Sequence, residues 1–343
     1  LIAAAGAFLF ALAPSYHVAL LARILMGIGM ASMLMGALKV FLLAFPAGSF
    51  STLSGLVISV GMIGSTFAAS PLAYLTAQMG WRAVFFVTGA ATAVLGFLSL
   101  FILKGLASSK NPMGVPSTES PMSLIQSARL IMGSLSFWQI STAAFFRYGT
   151  FASIQGLWLG LYLMDIKQLS PVDAGHILIM LSLGNIAGAP VAGWLSDRSS
   201  HGTKVVTMAG MSLYCLSLFS LTGFWQINGT GLFMLISFCI GFFHACGTML
   251  YSHAKDLFPL SIAGTAMTGV NFFFMLGGAV MMTVFGKFIE LFPRMGRSYS
   301  SEAYEFCFII CFLSMTVSLC FYAFSKKGRH GKAALQRSKT KIS

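Results

Sequence analysis

Charged side chains are scarce in this chain, and acidic ones are the scarcest. Of its 343 residues, 8% are charged, with 8 Asp and Glu against 21 Lys and Arg, whereas soluble domains carry about 25% charged residues. Hydrophobic residues make up 57% of the sequence, which excludes a water-soluble fold. In a bilayer every backbone amide needs an internal partner, which leaves helices or a closed barrel. Because strict alternation of apolar and polar residues is absent, we predict an all-α integral membrane protein.

Motifs for catalysis and for ATP use are also missing. The sequence has no glycine loop for phosphate, no hydrolase nucleophile elbow and no paired carboxylates deep in an apolar run. We therefore expect neither an enzyme nor an ATP-driven pump. The six cysteines lie inside apolar runs, and although Cys307 and Cys311 share a helix face, two thiols are too few for a metal site. No cofactor and no metal are expected.

Ten apolar runs have the length of membrane helices, or nearly so. A helix needs about 20 apolar residues to cross a hydrocarbon core of about 30 Å. The first run is shorter than that, and the chain opens on Leu1 rather than Met, so we predict that upstream helices are missing from this sequence. The predicted spans are 1–13, 16–43, 50–77, 81–103, 137–164, 173–195, 204–224, 231–253, 263–290 and 304–324.

A polar segment rich in Pro and Ser separates the first four spans from the last six. Such a composition is typical of a linker. We predict a partial N-terminal helical bundle at 1–103, a linker at 104–135, a six-helix C-terminal bundle at 136–324 and a basic tail at 325–343.

The distribution of cations indicates the orientation in the membrane. If the tail is cytoplasmic, 13 of the 21 Lys and Arg residues lie on inner segments, 4 on outer segments and 4 within spans or at their ends. Because cytoplasmic loops retain cations during insertion, we predict that tail and linker face the cytoplasm of a bacterial inner membrane. This orientation also explains the net charge of +13. We therefore expect a small solute and the lipid bilayer as partners, no nucleic acid, and a monomer.

Three motifs occur in a characteristic order: Arg23-Ile-Leu-Met-Gly27-Ile-Gly29-Met-Ala31, Gly80-Trp81-Arg82 and Gly193-Trp-Leu-Ser-Asp197-Arg198. They resemble, respectively, the helix-four motif, the entry to helix six and the second-half gate loop of the major facilitator superfamily. The resemblance covers essentially the whole chain. It implies helices three to twelve of a twelve-helix fold, in which two six-helix bundles rock about a central site.

The resemblance assigns roles to residues of two of these motifs. Asp197 and Arg198, with Gly193 at the helix end, are expected to bias the inward-closed state by pairing with helix ends. The alternative is that both are ordinary surface charges. Arg23 and Gly27 are expected to serve structure or coupling within helix four.

Arg147 is the leading candidate for contact with substrate, because a charge at a helix centre costs about 2.5 to 3.5 kcal/mol. Gln155 and Trp158 follow it at offsets of eight and eleven, on one face of a regular helix. A cation, an amide and an indole on one face suit an amphipathic anionic solute. Arg147-Tyr148-Gly149 also resembles helix seven of the organophosphate and organic-anion permease branch, where the arginine contacts the anionic group. The alternative is an arginine near the outer helix end that snorkels to the interface.

Three further polar residues lie within apolar runs and are candidate substrate-binding residues. His244 is near the middle of its run, where a neutral imidazole relays a proton or contacts substrate, or else packs through hydrogen bonds. Asn185 and Asn271 either line a cavity or tie helices together.

The sequence as a whole favours a secondary transporter that takes up a small, anionic organic solute. Drug-efflux members of the superfamily carry a Gly-Pro pair in helix five, whereas Ser70-Pro71 stands here, which favours uptake by a symporter over export. The coupling ion is expected to be a proton, through His244, or exchange occurs without protons. The alternatives are an efflux antiporter for hydrophobic compounds or chelators, and a non-transporting membrane sensor or inactive fragment.

Overall fold

The computed structural model describes residues 1–108, 123–199, 202–225, 227, 229–295 and 298–328, and this part of the chain is almost entirely helical. Its helices are α1 (Ile2–Ala11), α2 (Tyr16–Met30), α3 (Met33–Ala44), α4 (Phe50–Ser108), α5 (Leu124–Met132), α6 (Leu135–Ser153), α7 (Leu159–Asp165), α8 (Pro171–Arg198), α9 (Thr203–Phe219), α10 (Thr230–Cys246), α11 (Met249–Leu257), α12 (Leu260–Ile289) and α13 (Ser301–Ala323). A 3-10 turn, Ala47–Ser49, precedes α4, and a π-helical turn, Ile154–Trp158, joins α6 to α7. Strands β1 (Arg294–Met295) and β2 (Ser298–Tyr299) pair antiparallel before α13.

Each of the ten predicted spans is helical, which confirms the fold class. Among the described residues, seven segments are long and apolar enough to cross a membrane, and α1 and α9 are shorter apolar helices. The remaining predicted span, 137–164, corresponds to α6, the π-helical turn and α7. The seven segments are Tyr16–Leu42, Phe50–Ala68, Tyr74–Ile102, Pro171–Arg198, Thr230–Leu257, Leu260–Ile289 and Ser301–Ala323.

Two long helical stretches are interrupted where the chain has small residues. Within α4 the backbone leaves the helical conformation at Gly80, with φ of 78° and ψ of 153°. Glycine adopts a positive φ readily because it has no Cβ. The break at Gly80 lies between the predicted spans 50–77 and 81–103. Gly247 and Thr248 separate α10 from α11. The sequence predicted one continuous span, 231–253, and did not predict this break.

The predicted linker includes a short helix. Residues 109–122 lie outside the described part of the chain, but α5 occupies most of 123–135. The Ser123 hydroxyl accepts a hydrogen bond from the Gln126 backbone, and the Gln126 side chain accepts one from the Ser123 backbone. This capping box is the sequence signal for the helix start. In the predicted tail, residues 329–343 also lie outside the described part.

The chain forms two compact units. Unit 1 comprises Leu1–Ala47 and Ile63–Ser120, and unit 2 comprises Gly48–Met62 and Pro121–Ser343. Residues 48–62 thus group with the C-terminal part of the chain, whereas the sequence prediction assigned them to the N-terminal bundle.

Small residues bring the helices of unit 2 close together. Gly184 and Gly188 of α8 lie against the backbone of Phe238 and Phe242 in α10. A Cβ at either glycine would meet a backbone carbonyl, which is how small residues allow close helix contact in membranes. This packing holds Asn185, on α8, next to α10.

Candidate functional site

Arg147 lies on α6 and is buried inside unit 2. Its side chain is 1% exposed. The Nη1 group donates to the backbone carbonyl of His244 at 2.8 Å and lies 3.1 Å from Nε2 of the same residue. The alternative of an arginine that snorkels to the interface is therefore wrong, because the guanidinium is held between helices.

His244, on α10, is held on three sides. The ring of Phe151 is stacked on the imidazole, with centroids 3.7 Å apart and planes 8° apart. Nδ2 of the Asn185 side chain lies 2.7 Å from Nδ1, and Arg147 faces Nε2. Three of the six predicted substrate-binding residues, from three different helices, thus meet in one place.

We assign the tautomer of His244 from the donors and acceptors around its ring. A guanidinium only donates, so Nε2 must present its lone pair to Arg147 and the ring proton resides on Nδ1. Nδ1–H then needs an acceptor, and the side-chain oxygen of Asn185 supplies it when the amide is oriented accordingly. His244 is neutral in this arrangement.

Two residues that the sequence analysis did not select complete the polar contacts. The Tyr214 ring of α9 meets His244 edge to face with centroids 5.6 Å apart, and its hydroxyl lies 2.9 Å from Thr150 Oγ1. The Thr150 hydroxyl in turn donates to the backbone carbonyl of Arg147 at 3.1 Å. We call Arg147, His244, Asn185, Tyr214 and Thr150 the Arg147 cluster. In the sequence, Tyr214 is one hydroxyl-bearing residue in an apolar run, and it indicates a functional site much less strongly than the charged Arg147 does.

The Arg147 cluster contains a positive charge and no carboxylate. The Nε atom of Arg147 is buried and has no hydrogen-bond partner among the described residues. Among the described residues no Asp or Glu forms a salt bridge with Arg147. A buried cation of this kind is costly unless a counter-charge is supplied.

Aromatic and neutral polar groups of α11 and α12 adjoin Arg147. The Phe274 ring centroid is 5.1 Å from its Cζ, and Tyr148 is stacked on Phe274 at 3.9 Å. The Tyr251 hydroxyl donates to the side-chain oxygen of Asn271 at 2.9 Å. Asn271, the fourth predicted residue, is thus placed beside the cluster through Tyr251 rather than in direct contact with Arg147.

The π-helical turn changes the spacing that the sequence prediction assumed between Arg147 and the two residues Gln155 and Trp158. Both lie in the π-helical turn Ile154–Trp158, whose wider winding changes the angular position of every later residue relative to Arg147. Gln155 donates to the Ser182 hydroxyl at 3.0 Å. Trp158 is buried edge to face against Tyr304, with centroids 6.4 Å apart.

In the gate motif, Asp197 binds the first turn of α4 within unit 2. The backbone amides of Ser51 and Thr52 donate to its two carboxylate oxygens at 3.1 and 2.7 Å, and the Thr52 hydroxyl donates at 2.7 Å. Gly193 makes room for this approach, because a Cβ there would meet the Ser51 backbone. An anion at a helix N-terminus is stabilised by the free amides and the helix dipole. Arg198 instead lies over the Trp194 ring at 4.5 Å.

The helix-four motif lies in unit 1. The Arg23 guanidinium is 4.6 Å from the Phe10 ring centroid and 5.4 Å from that of Phe85. Gly27 faces open space, whereas Gly29 packs on the Ala3 backbone. Within unit 1, Arg23 therefore makes cation–π contacts, and no atom lies within 4 Å of the position that a Cβ at Gly27 would occupy.

Ligands for a metal are not clustered in the described part of the chain. No group of three or more His, Cys, Asp or Glu side chains there is arranged to hold an ion. The Arg147 cluster has the chemistry of an anion site, since it presents donors and a positive charge.

Comparison with known proteins agrees with the motifs. The family model described as Major Facilitator Superfamily matches residues 1–282 and 140–341. Probable hexose phosphate transport proteins of Chlamydia trachomatis and Chlamydia muridarum are 27% and 26% identical to this chain, over 61% of it and 51% of their own length. The tetracenomycin C resistance and export protein of Streptomyces glaucescens is 27% identical over 61% of this chain and 47% of its own. The chain therefore spans about half the length of the curated relatives it matches.

Solved structures share the fold. The Escherichia coli fucose:proton symporter is 14% identical, with a TM-score of 0.67 over 95% of this chain and 82% of that one. A bacterial homologue of the iron transporter ferroportin is 10% identical, with a TM-score of 0.72 over 94% of this chain and 81% of that one. At these identities the likeness establishes the fold alone. It confirms the predicted helical-bundle architecture.

Proposed function

Because the chain belongs to the Major Facilitator Superfamily, we propose that it is a secondary transporter which moves a small organic anion across the plasma membrane by alternating access. We further propose that the solute is a phosphorylated hexose, the class named for its chlamydial relatives. The family consists of transporters, so the expectation that the chain is not an enzyme is confirmed. The buried Arg147 is the observation that supports a negative charge on the solute.

The proposal that the solute is an anion is supported by the charge of Arg147, which has no counter-charge among the described residues. The side chain is 1% exposed and its Nε has no partner in the described part of the chain. A phosphate group supplies oxygens at the spacing of the guanidinium fork and can accept two parallel hydrogen bonds. Binding of such a group would satisfy Nε and neutralise the buried cation at the same time.

The surroundings of Arg147 suit a polar solute with hydroxyl groups. Tyr251 and Asn271 contribute a phenol and an amide on one side, and Phe274 contributes an apolar ring surface. Sites for small ligands combine apolar walls with a few such polar groups. Asn185 and His244 belong to the same proposed site, whereas Gln155 and Trp158 are assigned to packing.

The test is uptake of radiolabelled glucose 6-phosphate by proteoliposomes that contain the protein. We expect Arg147→Gln to lower uptake by about tenfold to 100-fold, because hydrogen bonds to charged groups contribute about 1.5 to 3 kcal/mol. Arg147→Lys keeps the charge but loses the two-pronged hydrogen bonding of the guanidinium, so its uptake rate should lie between those of the wild type and Arg147→Gln. Arg129→Gln is the matched control, since Arg129 is exposed on α5.

Uptake is normalised to the protein that elutes as a single folded species, because Arg147 also joins α6 to α10. Unchanged uptake in folded Arg147→Gln would contradict the anion site. Export rather than uptake in inverted vesicles would favour the efflux antiporter, the function named for the Streptomyces relative. Binding of glucose 6-phosphate without flux would favour a membrane sensor.

A further inference from the structure

We propose that His244 is the residue that couples proton uptake to solute binding, with the proton entering at Nε2 when an anion binds at Arg147. The proposal rests on the proposed function for the anion and deepens it by naming the coupling ion and the atom that carries it.

The hydrogen bonds define where the proton enters. In the assigned tautomer Nδ1 already holds a proton and faces the Asn185 amide at 2.7 Å, while Nε2 accepts from Arg147 at 3.1 Å. Protonation at Nε2 leaves the Asn185 contact unchanged. It replaces the acceptor that faces Arg147 by a second donor. The contact between Nη1 and the ring then breaks, and that N–H becomes available to an oxygen of the solute.

The charges make proton and anion depend on each other. With Nε2 protonated, two cations would face each other in a buried site. Among the described residues no salt bridge to Arg147 is found, and the side chains within hydrogen-bond distance of the His244 ring are Arg147 and Asn185. An uncompensated pair of this kind is strongly unfavourable. An anion bound at Arg147 removes the penalty, so each of the two ligands increases the affinity for the other.

The groups that contact His244 come from α6, α8 and α9. From α6 come Arg147 and Phe151, from α8 the Asn185 amide, and from α9 the Tyr214 ring. Beyond Arg147, α11 contributes the Tyr251 hydroxyl and α12 the Phe274 ring. The groups that surround the imidazole do not titrate near neutral pH, whereas the reference pKa of histidine lies in that range. The imidazole is therefore the residue able to bind the coupling proton in this cluster.

The experiment measures the Kd of purified protein for glucose 6-phosphate between pH 7.5 and 8.5, by calorimetry. The second ionisation of a phosphate monoester lies near pH 6, so the solute hardly titrates in this range. We expect the Kd to rise by up to about tenfold per pH unit, the limit for one linked proton. His244→Gln keeps an acceptor for Arg147 and a donor for Asn185, and it should bind with a Kd that is independent of pH. His176→Gln, at an exposed histidine, is the control and should behave like the wild type.

Proton uptake in weak buffer gives a second reading on the wild-type protein alone. Addition of glucose 6-phosphate should remove up to one proton per bound molecule from solution at pH 7.5. A wild-type Kd that does not change with pH, or a His244→Gln variant that keeps the wild-type dependence, overturns the coupling while leaving the anion site in place. Absence of binding at every pH overturns the proposed solute and the coupling together.

Discussion

At the scale of single residues, Gly247 determines how Arg147 is accommodated. Gly247 follows the end of α10, and a Cβ at this position would collide with Cδ and Nε of Arg147. Arg147 is enclosed by Phe274 and His244 on other sides. The Arg147 side chain therefore cannot move away from an added Cβ at position 247 without losing these contacts.

We predict that Gly247→Ala displaces Arg147 and weakens glucose 6-phosphate binding. Overpacking of a buried site costs about 1 to 3 kcal/mol, so the free energy of unfolding in detergent should fall by an amount of that order. The measurement is a denaturant titration of purified protein, together with the Kd.

Gly231→Ala is the matched control for this change. Gly231 lies on α10, and its added Cβ would meet no atom within 4 Å. Alanine has the better helix propensity by about 1 kcal/mol, so this variant should be as stable as the wild type or more so. Equal stability and equal affinity in Gly247→Ala would show that Arg147 has more room than the structure indicates.

The members of the site were predictable from sequence to the extent that they carry charge or large polar groups. Arg147, His244 and Asn185 are conspicuous because polar side chains in lipid are costly. Their mutual contact was not predictable, because it joins positions 97 and 59 residues apart and depends on how α6, α8 and α10 pack. Tyr214 was overlooked, because tyrosine is a frequent packing residue in apolar helices.

At the scale of elements, the first turn of α4 is stabilised by a residue far along the chain. The Asp197 carboxylate accepts hydrogen bonds from Ser51 and Thr52. The Ser51 hydroxyl also donates to the Ser252 hydroxyl at 3.0 Å. Two of the four amides that a helix N-terminus leaves unpaired, those of Ser51 and Thr52, are thereby satisfied.

We predict that Asp197→Asn exposes this turn to solvent exchange. An amide side chain keeps one acceptor oxygen but loses the charge that the helix dipole favours. Loss of an N-terminal cap costs about 0.5 to 2 kcal/mol, so amide hydrogen exchange in a peptide covering residues 48–60 should become several-fold faster.

The control for Asp197→Asn is Glu290→Gln, which removes an exposed carboxylate at the end of α12. Its exchange pattern should match that of the wild type throughout α4. Wild-type exchange rates in the Asp197→Asn peptide would mean that Asp197 contributes nothing to the stability of the turn.

The helices themselves were predictable because apolar length is a strong signal, but their winding was not. The offsets from Arg147 to Gln155 and Trp158 assumed a regular helix. The π-helical turn at Ile154–Trp158 breaks that assumption, and nothing in the local composition distinguishes it from α-helix. The short helix α5 was missed for another reason: its capping box lies at the end of a segment whose Pro and Ser content is typical of a linker.

At the scale of the whole molecule, the number of spans determines which ends of the chain share a side. Between the predicted linker and the tail, the described part of the chain contains six helical spans: α6 with α7, α8, α9, α10 with α11, α12 and α13. An even number returns the chain to the side from which it started. Inner segments carry 13 of the 21 cations if that side is the cytoplasm.

We predict that cysteines placed at Ser117 in the linker and at Ser343 react with a membrane-impermeant maleimide in inverted vesicles and not in intact cells. A cysteine at Gln168, between α7 and α8, should show the opposite pattern, because one span separates it from the linker. The native cysteines are replaced by serine in all three variants, so that labelling reports only the new thiol. Labelling of Ser117→Cys and Ser343→Cys from opposite sides would mean an odd number of crossings, and one of the six spans would then not cross the membrane. Labelling of both from outside would keep the six spans and reverse the orientation that the cations indicate.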